Sequence, residues 1–144
     1  SLQKEEKGGV VTKALFITLF ILMSCTKKEE TWGPRAMWSH AVSQDPDIEL
    51  VGIPNHEAHR RVLCENYPSA GCIIGSGKRV KVRLVELLVI QYSSTKQACL
   101  AARSIGQWYA RNWLLDDVTN EPVLESYVKK IFDAKKPTAK DSCE

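Results

Sequence analysis

Lys78-Arg79-Val80-Lys81-Val82-Arg83-Leu84-Val85-Glu86-Leu87-Leu88-Val89-Ile90-Gln91-Tyr92 is the longest strand-like run in the chain. It opens with cations and aliphatics in strict alternation, as in a strand with one wet face. From Leu87 to Ile90 both faces are apolar, as in a strand covered on both sides. Glu86 interrupts the period and predicts a β-bulge near 85–87. The run therefore reads as one long strand, exposed at its start and buried later.

The flanks supply the remaining elements. Ile48-Glu49-Leu50-Val51-Gly52-Ile53 predicts a strand stopped by Pro54, and Asn55 an N-cap for a helix over 56–66. Gly71-Cys72-Ile73-Ile74 predicts a short strand, with Gly75-Ser76-Gly77 as the hairpin turn into 78–92. Downstream, Ser94-Thr95-Lys96-Gln97 is a capping box opening a helix with Ala98, Ala101, Ala102, Ile105 and Tyr109 on one face. Arg111-Asn112-Trp113-Leu114-Leu115 predicts a fourth strand. A last helix begins at Pro122, with Val123, Leu124, Tyr127, Val128, Ile131 and Phe132 as its apolar stripe. The order β-α-β-β-α-β plus a C-terminal helix is that of the ferredoxin-like split βαβ arrangement, an α+β fold on an antiparallel sheet. This domain is expected over 47–134, followed by a tail over 135–144 that is loose apart from Cys143. Residues 25–46 read as a flexible tether carrying a short helix from Pro34 to about Ser43, with Met37, Trp38, Ala41 and Val42 on one side.

The whole chain has 144 residues, 44% hydrophobic and 26% charged, with a formal net charge of +3. That suits one globular domain and excludes a disordered tail, a collagen-like repeat and a multi-domain machine. So modest a charge disfavours nucleic acid as a partner.

The N-terminal segment reads as an address. Lys13 precedes Ala14-Leu15-Phe16-Ile17-Thr18-Leu19-Phe20-Ile21-Leu22-Met23, a run too short for the roughly 30 Å hydrocarbon layer, since ten helical residues reach about 15 Å. A charge, a short apolar core and a small residue before a processing point make a secretory signal. Leu22-Met23-Ser24-Cys25 resembles the bacterial lipobox, whose cysteine is diacylated and becomes the first mature residue. Cys25 is thus the expected lipidation site, residues 1–24 a leader and signal peptide, and two acyl chains the membrane anchor. Residues 1–10 are expected to be translated-through leader ahead of a start at Val11, which the nucleotide sequence of the gene decides. Thr26 after the cysteine places the protein on the periplasmic face of the outer membrane. Losing residues 1–24 leaves 17 basic and 15 acidic residues, a nearly neutral mature chain.

Four cysteines remain, Cys64, Cys72, Cys99 and Cys143, an even number as a disulfide framework in an oxidising compartment requires. Short loops close at least entropic cost, which favours Cys64–Cys72 and leaves Cys99–Cys143 to pin the tail. A periplasmic thiol-redox or metal-dependent enzyme built on Cys64 or Cys72 with His56 or His59 is the alternative. Against it, no Cys-x-x-Cys is present, and His56-Glu57-Ala58-His59 has i,i+3 spacing where the zincin helix needs i,i+4. Gly75-Ser76-Gly77-Lys78 lacks the spacing of a phosphate loop. Asp116, Asp117, Glu121 and Glu125 supply carboxylates without a partner nucleophile or base, and no cofactor is expected. The candidate ligand-binding residues are Arg79, Lys81 and Arg83, three cations on the sheet face opposite Val80, Val82 and Leu84, with Trp113 sharing that face as a stacking ring.

Residues 50–115 are similar in layout to the SPOR domain, a periplasmic ferredoxin-like module. The likeness lies in Val51-Gly52-Ile53 leading into Asn55-His56-Glu57-Ala58, and Tyr92-Ser93-Ser94 leading into Gln97-Ala98. The resemblance implies binding of peptidoglycan glycan and assigns no site residues; the long 78–92 run, the cysteines and the terminal helix depart from that pattern. The expected function is that of a cell-envelope lipoprotein with a small non-catalytic binding domain, for cell-wall glycan or an envelope protein. A purely structural assembly lipoprotein docking through the 123–132 helix is the second alternative.

Overall fold

The computed structural model describes residues 30–144. The elements in chain order are α1 (Pro34–Gln44), β1 (Glu49–Leu50), β2 (Lys78–Val82), β3 (Val85–Gln91), α2 (Thr95–Ile105), β4 (Trp108–Ala110), β5 (Trp113–Asp116) and α3 (Pro122–Phe132). The protein is α+β, with helices on both faces of one five-stranded sheet ordered β1-β2-β3-β5-β4. Every neighbouring pair is antiparallel.

The 78–92 stretch is two strands rather than one. Val80 and Val82 point to one face, and so do Val85, Leu87 and Val89, so the inward positions change parity between 82 and 85. A bulge or a turn accounts equally for that change. The chain takes the turn: Arg83 adopts a left-handed φ of 57°, Leu84 stands 92% exposed at the tip, and Val82 pairs with Val85. The second hairpin repeats the device, with Arg111 at φ 50° joining β4 to β5 where a single fourth strand was expected.

The ferredoxin-like order is met only in part. β3 and β4 run parallel with β5 between them and are joined by α2, which makes one split βαβ unit. The second unit is missing. β1 is an edge strand of two residues paired to its sequence neighbour β2, not a central strand. The helix expected over 56–66 is two short 3₁₀ segments, Asn55–Arg60 and Cys64–Asn66, in which no residue is buried. Its proposed stripe was too thin to hold a helix: Val62 is buried, but Leu63 is 40% exposed and Ala58 is also exposed. The segment 71–74 contributes one isolated bridge, Cys72 to Tyr92, and Gly75-Ser76-Gly77 is a loop instead of a hairpin turn. Gly77 is required there, because a Cβ would collide with the carbonyl of Val62.

Each sheet face carries its own core. Val80, Val82, Leu87, Val89, Trp113 and Leu115 pack with Trp32, Met37 and Ala41 and with Leu124, Val128 and Phe132, so α1 and α3 share one face. Leu88, Ile90, Tyr92 and Leu114 pack with Val62 and with Ala98, Ala101 and Ala102 of α2. Ser94 caps α2 as expected, its Oγ accepting from Gln97 N at 3.1 Å. Gly106, at φ 67°, stops α2 before Tyr109, which lies in β4.

The two termini are tied down more firmly than their composition suggests. α1 is part of the core, not an ornament on a tether: Met37 and Ala41 are buried, as is Trp32 before it. At the other end, Tyr109 and Lys135 exchange backbone hydrogen bonds of 2.9 Å in both directions. Arg103 donates to the carbonyl of Asp141 at 2.7 Å, and Cys143 is bonded to Cys99. The tail expected to be loose is a strap. Cys64 is bonded to Cys72, so both expected disulfides form.

Candidate binding cleft

The four residues proposed as a ligand-binding face do not share one. Arg79 is engaged with protein: its Nε donates to the carbonyl of Arg60 at 3.1 Å, and its Nη1 lies 3.4 Å from Glu86. Arg60 in turn pairs with Glu86 at 3.1 Å and Glu57 at 3.2 Å. Lys81 stands opposite Glu86 on β3 and Glu49 on β1. Arg83 sits in the turn. Trp113 belongs to the other face, 1% exposed, its indole N–H donating to the carbonyl of Trp32 at 2.9 Å. The expected error was one of parity: a turn at 83–84 carries Arg83 off the strand, and β5 places odd residues where β2 places even ones.

Nor is the face that carries Arg79 free of cover. Val62, Tyr67 and the Cys64–Cys72 bridge lie over it beside α2. Tyr67 donates its hydroxyl to Asp116 Oδ2 at 2.6 Å, and burial, aided by that carboxylate, pushes its ionisation far above the usual tyrosine range. Burial and the neighbouring Asp116 likewise raise the Asp117 carboxyl above its ordinary value.

Cys64 and Cys72 are bonded to each other, and His56 and His59 are exposed. Among the described residues no three His, Cys, Asp or Glu side chains converge as a metal site, and no helix is long and apolar enough to cross a membrane. The expected lipidation site, Cys25, lies outside the described residues.

Three concavities differ in chemistry. One of about 920 Å³ is lined by charges of both signs, including Glu30, which pairs with Arg111 at 3.4 Å, and Arg111 itself, whose guanidinium lies 4.0 Å above the Trp32 ring. A second, of about 800 Å³, brings Lys81 and Arg83 together after all, but in company with Asp45, Asp47 and Glu49.

The third, of about 450 Å³, is apolar and lies between α1 and the sheet edge formed by β1 and β2. Met37 and Trp38 come from α1, Leu50 from β1, Val80 from β2, and Val89 and Trp113 from deeper in the sheet. Ser76 also lines it, yet its hydroxyl already donates to the carbonyl of Ile73 at 2.6 Å and accepts from Gln91 N at 3.0 Å. Arg35 and Lys78 complete the lining. Both are exposed, and neither forms an ion pair among the described residues. Sequence reasoning found Met37 and Trp38 as one side of a helix but missed the cleft. Its walls come from five elements spread between Met37 and Trp113, and no local pattern joins them.

The fold and cleft define a small α+β domain, fastened by two disulfides, with a hydrocarbon-lined recess beside one sheet edge. Compared with protein-family models, curated proteins and solved structures, the chain matches none.

Proposed function

We propose that the protein is a bacterial cell-envelope lipoprotein whose folded domain binds a ligand rather than transforming one. The observation that carries the reading is the pair of disulfides: the four cysteines beyond Cys25 are all consumed, as in proteins that mature in an oxidising compartment. The lipobox-like Leu22-Met23-Ser24-Cys25 supplies the route out and the anchor, and Thr26 favours the periplasmic face of the outer membrane. The apolar cleft, of a size usual for ligand sites, is the binding surface. Its floor presents no free acid, base or nucleophile, which suits holding a molecule better than reacting with it. Structural disulfides are favoured over thiol chemistry at Cys64 and Cys72 because the two sulfurs are bonded to each other and His56 and His59 are exposed.

Intact-mass analysis of the chain expressed in a bacterium tests this reading. The expected product begins at a diacylated Cys25 and contains no free thiol, and Cys25→Ser leaves it without lipid. A bare Cys25 with the leader still attached, or reduced cysteines in the recovered protein, overturns it.

A further inference from the structure

We infer that the cleft between α1 and the β1–β2 edge takes a single-chain anionic amphiphile, a free long-chain fatty acid, its tail on the apolar floor and its carboxylate at Arg35 and Lys78. This rests on the proposal that the cleft is the binding surface, and adds the chemistry of what it binds.

The floor fixes the buried part of the ligand. Met37, Val80, Val89 and Trp113 are apolar walls, the Trp113 N–H is bonded to Trp32, and the Ser76 hydroxyl is bonded twice within the protein. A ligand that buried polar atoms here would leave them without partners, at a cost of about 1–3 kcal/mol or more each. That disfavours a peptide, whose amides need partners, and a glycan, whose hydroxyls do. A hydrocarbon chain has no such requirement. The lip is apolar as well, since Leu50 is 53% exposed, and Ile74, next to the lining residue Gly75, is 90% exposed.

The rim fixes the charge of the head. Arg35 and Lys78 are the charged residues of this cleft, and no carboxylate lines it. The other two concavities each mix cations with carboxylates, so neither offers an anion the same reception. The volume of about 450 Å³ lies near the lower end of the roughly 300–1,000 Å³ of small-molecule sites, which fits one tail better than the two of a phospholipid. Guanidinium and ammonium together make charge-assisted hydrogen bonds to one carboxylate.

The test uses the full chain carrying Cys25→Ser, with laurate, dodecyl maltoside and dodecyltrimethylammonium, each below its micelle concentration, as probes of nearly equal tail and different head. Titration calorimetry measures affinity, and tryptophan fluorescence reports the cleft through Trp38 and Trp113. Laurate is expected to bind one to one, at least tenfold more tightly than the maltoside, with the cation weakest. The double change Arg35→Glu and Lys78→Glu should lower laurate affinity at least tenfold and leave the maltoside unchanged. Both positions are exposed, so the fold tolerates the change. Equal affinity for all three heads, or indifference of laurate to the charge reversal, overturns the fatty-acid assignment while leaving an apolar binding cleft. Preference for anionic phospholipid vesicles over laurate overturns it likewise. Absence of saturable binding by any probe removes the cleft as a binding surface and the inference with it.

Discussion

Asn112 and Trp32, 80 residues apart, bind each other as neighbouring strands do. The Trp32 backbone N–H donates to Asn112 Oδ1 at 2.7 Å, and Asn112 Nδ2 donates back to the Trp32 carbonyl at 3.2 Å. The same amide reaches the carbonyl of Tyr92 at 3.1 Å. Asn112 is 2% exposed. One side chain in the β4–β5 turn thus seats the segment that leads into α1, and with it one wall of the cleft.

Replacing Asn112 with alanine deletes three buried hydrogen bonds and strands the Trp32 N–H, while the Trp32 carbonyl keeps the Trp113 indole. At about 0.5–1.5 kcal/mol net for each bond, the loss should be about 2–4 kcal/mol in a urea titration. Tryptophan fluorescence should show Trp32 becoming wetter before the sheet unfolds.

The two disulfides should differ in weight. The Cys99–Cys143 bridge spans 44 residues and the Cys64–Cys72 bridge spans 8. The chain-entropy relation gives about 4 kcal/mol for the longer loop and about 2.5 kcal/mol for the shorter. Paired serine variants, one bridge at a time, should show that order in their denaturation midpoints. A larger loss from the shorter bridge would mean that the native contacts of the 53–77 segment, rather than the entropy of the unfolded chain, set its contribution.

Arg83 holds a left-handed backbone that glycine adopts freely. Its side chain makes no ion pair among the described residues. Arg83→Gly should therefore stabilise the β2–β3 hairpin by about 0.5–1 kcal/mol, read as a rise in midpoint at unchanged denaturant slope.

Alkaline pH should unfold the protein through its tyrosines. Burial pushes Tyr92 up to about 12, and burial with a carboxylate partner raises Tyr67 and Tyr127 further still. In each case the folded value lies above the ordinary 10.0, so the native state favours the protonated phenol. That contribution is whole below pH 10 and declines as pH rises toward the folded values. Phenolate absorbance from these three rings should appear together with loss of the tryptophan signal, not before it. Tyr67→Phe and Tyr127→Phe should move the alkaline transition upward.

What the sequence disclosed was local. The capping box at Ser94, the stripe Leu124-Val128-Ile131-Phe132 and the shorter disulfide each depend on residues within a turn or two of one another. What it withheld was set at a distance or by an exception. Arginine at two left-handed turn positions carries none of the usual glycine or asparagine signal, so the first hairpin was hidden inside one strand and the second between a helix end and a strand begun at Arg111. One misplaced turn then reversed the inward and outward sides of β2 relative to β5 and assembled a false face from Arg79, Lys81, Arg83 and Trp113. The 56–66 segment has a helical rhythm but one buried aliphatic, and Asn55, expected as its N-cap, lies inside a 3₁₀ turn without capping it, so packing declined what propensity offered. The cleft was illegible because its walls meet only after the sheet has closed.

The strap formed by Lys135 along β4 has a further consequence for the molecule's history in solution. Its bonds to Tyr109 occupy an outward-facing amide and carbonyl that would otherwise stand ready to pair with another chain. Proteolytic clipping ahead of Lys135, with reduction of the Cys99–Cys143 bridge that would still hold the fragment, should uncover that edge and favour strand addition by another chain. Lys135 thus serves as a cover for the outer edge of β4.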